Sequence, residues 1–284
     1  MIFAIALALS VLMGVALGLL GGGGSIMTVP ILVYLLGLPT KAAVATSLLV
    51  VGTTSIFGLV LHARAGNVEW RTGALFAGFA MGGAYAGGLL AAVVPAWLLL
   101  ALFTLLMVAT GAAMLRGGGR AAKPPRTGPL PIGLVAAEGL VVGAVTGLVG
   151  AGGGFLVVPA LVLLGGLPMP RAVGTSLLVI ALKSFAGYAG YAGHVSLDLG
   201  LAGAVIGAAL VGTFIGFGLT RKLEPARLRR AFAWFVLGMG GFMVYQQVGP
   251  LLAGIGVPPV ALAGVLAVAL AATAVVLSRR ARLA

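Results

Sequence analysis

Two ionisable residues stand alone inside long apolar runs: Lys183, twelve residues into the stretch 171–193, and Glu138, within 131–149. A charge at bilayer depth costs at least ~2.5 kcal/mol, so such a lysine needs a counter-charge. A permanent pair with Glu138 would supply one, and an anion arriving from outside would supply another. Glu138, as the one acid inside a predicted span, is also the candidate proton-coupling residue. Hydroxyls come in two matched pairs, Thr46-Ser47 and Thr175-Ser176. Each pair falls in the first third of its helix, where it can bond a substrate oxygen or its own backbone. The third set is glycine: Gly21, Gly22, Gly23 and Gly24 before Ser25, and Gly150, Gly152, Gly153 and Gly154. Each run precedes a short apolar segment whose start would present unpaired N–H groups and a partial positive charge, a setting for an anion. The competing use is close helix packing, as in the spaced pairs Gly14/Gly18, Gly78/Gly82, Gly139/Gly143, Gly203/Gly207 and Gly212/Gly216.

Other chemistry finds no residues. Neither glycine run fits the dinucleotide spacing, and no phosphate-binding G-x-x-x-x-G-K-[ST] occurs. There is no cysteine, and His62 and His194 are too far apart in the chain to form a metal-ligand set. Both read as residues near helix ends, with Trp70, Trp97 and Trp234 as interfacial anchors. Asp198 and Glu224 read as loop or cap residues. An enzyme is not expected, and neither a cofactor nor a metal is implied.

The elements that must position these groups follow from composition. Of 284 residues 61% are apolar and only 7% charged, whereas soluble domains carry about 25% charge. Several uninterrupted runs are long enough to cross ~30 Å of hydrocarbon, where only helices or closed barrels satisfy the backbone. The class is an all-α polytopic membrane protein. The net charge of +13 then reports orientation in the bilayer, and no nucleic acid is expected as a partner. Residues 1–20 lack a basic leader and read as a retained span.

Sliding the sequence by 129 residues lays G-L-L-G-G-G-G-S-x-x-x-V-P, Gly18 to Pro30, on G-L-V-G-A-G-G-G-F-x-x-V-P, Gly147 to Pro159. The match continues through Gly37-Leu38-Pro39 on Gly166-Leu167-Pro168 and through the two Thr-Ser pairs. The chain therefore divides into a first repeat (1–115), a basic cytoplasmic linker (116–130), a second repeat (131–246), and an extra transmembrane helix with a basic tail (247–284). Each repeat holds a first leg (1–20; 131–149), a short re-entrant or broken helix (25–37; 154–165) and three longer helices (41–63, 70–92, 97–115; 171–193, 198–219, 228–246). A further span, 258–278, has no counterpart.

Placing the basic stretches 116–126, 221–230 and 279–282 in the cytoplasm fixes the rest. If each first leg and its short partner form a hairpin, fifteen of the seventeen Lys and Arg fall inside, Arg64, Arg71 and Arg171 among them, with Lys41 outside and Lys183 in the membrane. The N-terminus is then outside and the C-terminus cytoplasmic. The two repeats point opposite ways, an inverted-topology plan that recurs in secondary transporters.

The same motifs, G-L-L-G-G-G-G-S-x-x-x-V-P and G-L-V-G-A-G-G-G-F-x-x-V-P, each followed by G-L-P and A-x-x-T-S-L, resemble those of the sulfite exporter TauE/SafE family of bacterial and archaeal permeases. The resemblance covers essentially the whole chain. It implies a plasma-membrane (inner-membrane) secondary transporter of small anions such as sulfite, sulfonates and related sulfur compounds, with the glycine motifs on Gly21 to Ser25 and Gly150 to Gly154. The expected partners are a small anionic substrate and the lipid bilayer, with a homodimer as the candidate assembly. The expected mechanism is alternating access by rocking of one half against the other. A passive anion channel and a noncatalytic membrane partner protein are the competing functions.

Overall fold

The computed structural model describes residues 2–253 except 23, 117–131, 151 and 221–222. The span expected at 258–278, the basic tail and the linker beyond Arg116 lie outside the described residues. Helices α1 (Ile2–Leu20), α2 (Ser25–Pro30), α3 (Thr40–Arg64), α4 (Trp70–Leu90) and α5 (Ala96–Arg116) form the first half. The second half holds α6 (Ile132–Val149), α7 (Gly154–Pro159), α8 (Met169–Tyr191), α9 (Leu199–Thr220) and α10 (Pro225–Ala253). Seven of them are long and apolar enough to cross a membrane. No strand occurs among the described residues.

The short legs end and bend for identifiable reasons. Pro30 and Pro159 close α2 and α7, and each helix widens there into a π turn, Ile31–Leu35 and Ala160–Leu164. Proline lacks the N–H of the regular ladder, and the wider turn closes instead through Leu36 N donating to Ile31 O (3.1 Å) and Gly165 N donating to Ala160 O (3.0 Å). Pro39 and Pro168 then sit at the N-caps of α3 and α8.

Packing crosses between the halves. A Cβ on Gly14 or Gly18 of α1 would overlap the backbone of Ala209 or Thr213 on α9, and one on Gly212 or Gly216 would overlap Val11 or Val15. The same contact recurs 129 residues away with the halves exchanged: Gly143 and Gly147 of α6 meet Ala80 and Ala84 of α4, and Gly83 and Gly87 meet Leu140 and Ala144. Backbones this close gain dispersion and Cα–H···O contacts, the principal attraction between helices in lipid. Aromatic pairs continue the exchange, Phe103 of α5 with Phe155 of α7 (5.8 Å between centroids) and Tyr34 of the first π turn with Phe242 of α10 (6.2 Å). Each hairpin is therefore seated among the later helices of the other half. Of the glycine pairs read as packing sites, Gly78, Gly203 and Gly207 have open space beside them, and Gly82 has only a Leu140 methyl 4.0 Å away.

Two pairs of corresponding helices, α3 with α8 and α5 with α10, run antiparallel. In α3 and α8, Gly52 faces Phe185 and Gly58 faces Leu177. In α5 and α10, Gly111 faces Leu237, Gly240 faces Val108, and Gln247 donates to Thr104 Oγ1 at 2.6 Å. The ends agree: Lys41, at the start of α3, donates to Ala92 O beyond α4 (2.6 Å), while Arg171, at the start of α8, pairs with Glu69 before α4 (2.6 Å). Trp70 and Trp97 are exposed at helix starts. Trp234 is exposed well inside α10, so it does not mark a helix end.

Candidate functional site

The two glycine-lined tips meet. A Cβ added to Gly22 would overlap Gly154 Cα, and one added to Gly154 would overlap Gly22 Cα. Glycine is required there because any side chain would hold the backbones apart. Around this contact each tip rests on the long helix of the opposite half: Gly21 on Val173 and Ser176 of α8, Gly150 on Val44 and Gly152 on Val51 of α3. Ser25 Oγ donates to Gly22 O (2.7 Å), and its Cβ lies against Gly152. Gly24 is pressed onto Met13 and Leu17 of α1. Gly23 lies outside the described residues.

Lys183 reaches this meeting point. Its side chain is only 1% exposed, and its ammonium lies against Gly153 and donates to Thr146 Oγ1 of α6 at 2.6 Å. Thr146 in turn donates to Gly143 O (3.2 Å), which leaves the hydroxyl oxygen free to accept from the lysine. Gly153 takes a left-handed conformation, φ 60°, as the N-cap of α7. A permanent Lys183–Glu138 pair is absent: the ion pairs among the described residues are Arg171–Glu69 and Arg227–Glu224. Glu138 is half-buried on α6, eight residues before Thr146, about 12 Å along a helix. A buried ammonium beside a helix start, with no carboxylate against it, is an arrangement that a bound anion would stabilise.

The hydroxyl pairs divide. Ser47 is buried with no hydrogen-bond partner, and Thr46 is buried beside it. Ser176 donates to Val173 O (2.7 Å) in its own helix while lying next to Gly21. Thr175 accepts from the Glu69 amide at the start of α4 (2.9 Å). Ser55 and Ser184, 129 residues apart, are further buried hydroxyls without partners.

Sequence reasoning missed Thr146, a single threonine in an apolar helix, and placed His62 correctly near the end of α3 without foreseeing its burial. His62 is fully buried, with Nε2 3.2 Å from Gly18 O and its ring edge-on to Phe217 at 5.0 Å. Its counterpart by the offset is Tyr191, whose hydroxyl donates to Leu148 O (2.6 Å). Each side chain thus ties a long helix to the end of a hairpin's first leg. The offset itself, His62 onto Tyr191, was the available signal. His194 is exposed between α8 and α9, and Asp198 Oδ1 accepts from Leu201 N (2.9 Å) as the cap of α9. At the α3–α4 end a cleft of about 390 Å³ is lined by Leu61, Arg64, Ala65, Asn67 and Phe217.

The family model for the sulfite exporter TauE/SafE matches residues 6–243. The chain belongs to this family. Its relatives include a probable membrane transporter protein of Xylella fastidiosa (strain 9a5c), 34% identical over 247 residues, 85% of this chain and 95% of that protein. Another, from Methanocaldococcus jannaschii, is 28% identical over 263 residues, 85% of this chain and 97% of its own. No solved structure matches. With seven span-length apolar helices, this TauE/SafE protein is a multi-pass membrane transporter.

Proposed function

We propose that this TauE/SafE protein carries a small sulfur-containing anion, sulfite or a sulfonate, across the plasma membrane by alternating access, and that its halves are inverted repeats with the anion held where the glycine tips meet. The observation that carries the reading is Lys183: a buried ammonium, bonded to Thr146 and set against Gly153, without a carboxylate beside it. The antiparallel course of α3 against α8 and of α5 against α10 supports inversion. Arg171 beside Glu69, near Arg64 and Arg71, with Lys41 at the other end of α3, supports an outside N-terminus and a cytoplasmic C-terminus. With that orientation the cleft that Arg64 lines faces the cytoplasm.

The crossed packing alters the moving parts. Rocking the first half against the second would pull α1 from α9 and α4 from α6, separating backbones in direct contact. In the alternating-access reading α1 therefore moves with α9, and α4 with α6.

Flux of labelled sulfite and methanesulfonate into proteoliposomes tests the reading. Saturable flux with trans-stimulation is expected. Single-channel current without counterflow would establish a passive pore, and no flux from purified protein would favour a noncatalytic partner.

A further inference from the structure

The two tips are related by the 129-residue offset, yet their surroundings are not equivalent. Lys183 corresponds to Thr54, Thr146 to Leu17, Gly153 to Gly24 and Gly154 to Ser25. At the second tip a buried ammonium and a hydroxyl meet beside the left-handed Gly153. An ammonium has three donors, and the one bond formed to Thr146 leaves donors to spare. At the first tip the corresponding groups are closed off. Thr54 donates to Val50 O (2.8 Å) and Val51 O (3.2 Å) of its own helix, Leu17 is apolar, and Gly24 is in ordinary helical conformation (φ −63°) pressed onto α1.

We infer that the chain binds one anion of a single negative charge, off the axis relating the halves, on the second tip alone, with Lys183 and Thr146 as its side-chain ligands and the first tip as an inert backstop. This deepens the anion-transport reading and rests on it. One ammonium neutralises one charge, and the other cation described on α6, α7 and α8, Arg171, lies twelve residues away paired with Glu69. Thr146 can turn its hydroxyl from Gly143 O to an anion oxygen, a rotation that exchanges one hydrogen bond for a charge-assisted one. Thr54 spends its one donor on the carbonyls of its own helix.

Isothermal titration of purified full-length protein with methanesulfonate, a fixed monoanion, and with sulfite tests this, beside sulfate as a fixed dianion. One site per chain is expected, with sulfate weaker than methanesulfonate. Lys183→Met and Thr146→Val should each weaken binding by about tenfold or more, Thr146→Ser should restore it, and Thr54→Val should stay within about twofold of wild type. Two sites per chain, or equal losses from Thr54→Val and Thr146→Val, would overturn the off-axis site while leaving anion transport standing. If neither methanesulfonate nor sulfite binds wild type, the anion reading itself fails. Melting temperature without anion supplies a readout independent of binding. Removing an uncompensated buried charge should leave Lys183→Met as stable as wild type or more so, whereas a purely structural lysine would lower it.

Discussion

Gly22 and Gly154 occupy each other's side-chain space: the Cβ that either would carry as alanine overlaps the other's α-carbon. The crossing of the two tips therefore tolerates no side chain at either position. Gly22→Ala and Gly154→Ala should each destabilise the protein by about 1–3 kcal/mol, the usual cost of overpacking. Gly203→Ala, on an open face of α9, should change stability by no more than about 0.5 kcal/mol. Thermal unfolding in detergent distinguishes them, and equal melting temperatures for Gly22→Ala and Gly203→Ala would contradict the crossing.

His62 and Tyr191 close equivalent junctions with chemically different side chains. Loss of either bond, in His62→Phe or Tyr191→Phe, should cost about 1 kcal/mol. Because Gly18 O is an acceptor, Nε2 carries the proton and Nδ1 stands without a partner. His62→Gln keeps an amide donor and is expected to fall between wild type and His62→Phe in the same melting assay.

Glu138 lies too far along α6 to share an anion with Lys183. Glu138→Gln should leave methanesulfonate affinity within about twofold of wild type, since roughly 12 Å of helix separates it from Thr146. Calorimetry reads this directly, and loss of proton-driven flux at unchanged affinity would identify Glu138 as the coupling group.

Orientation is open to single-cysteine labelling, because the chain has no cysteine of its own. Glu69→Cys and Arg171→Cys should react with an impermeant thiol reagent from one side of the membrane, and Lys41→Cys from the other. The Arg171–Glu69 pair is exposed, so either change should cost less than about 1 kcal/mol.

The hairpins, the long helices and the 129-residue offset were legible because glycine, proline and Thr-Ser recur at fixed intervals, and each fixes local backbone geometry. Lys183 was legible as a charge in the wrong solvent. Its partner was not: Thr146 is 37 residues away, its counterpart is Leu17, and no local pattern distinguishes it from a threonine bonded to its own helix. The Glu69 amide on Thr175 was hidden for the complementary reason, since symmetry with Thr46 says nothing about which neighbour bonds the hydroxyl. Nor does the offset disclose that the hairpins are exchanged between halves. An alignment of two copies shows that contacts repeat, without saying whether each is made within a copy or between them.

That exchange makes the molecule a two-subunit assembly written on one chain. A fragment ending at Arg116 would leave the glycine faces of α1 and α4 bare, and a fragment beginning at Ile132 would do the same for α6 and α9. Severed between those residues, the pieces should be degraded when produced singly yet reconstitute when co-expressed. A gene encoding half this chain would have had to begin as a dimer.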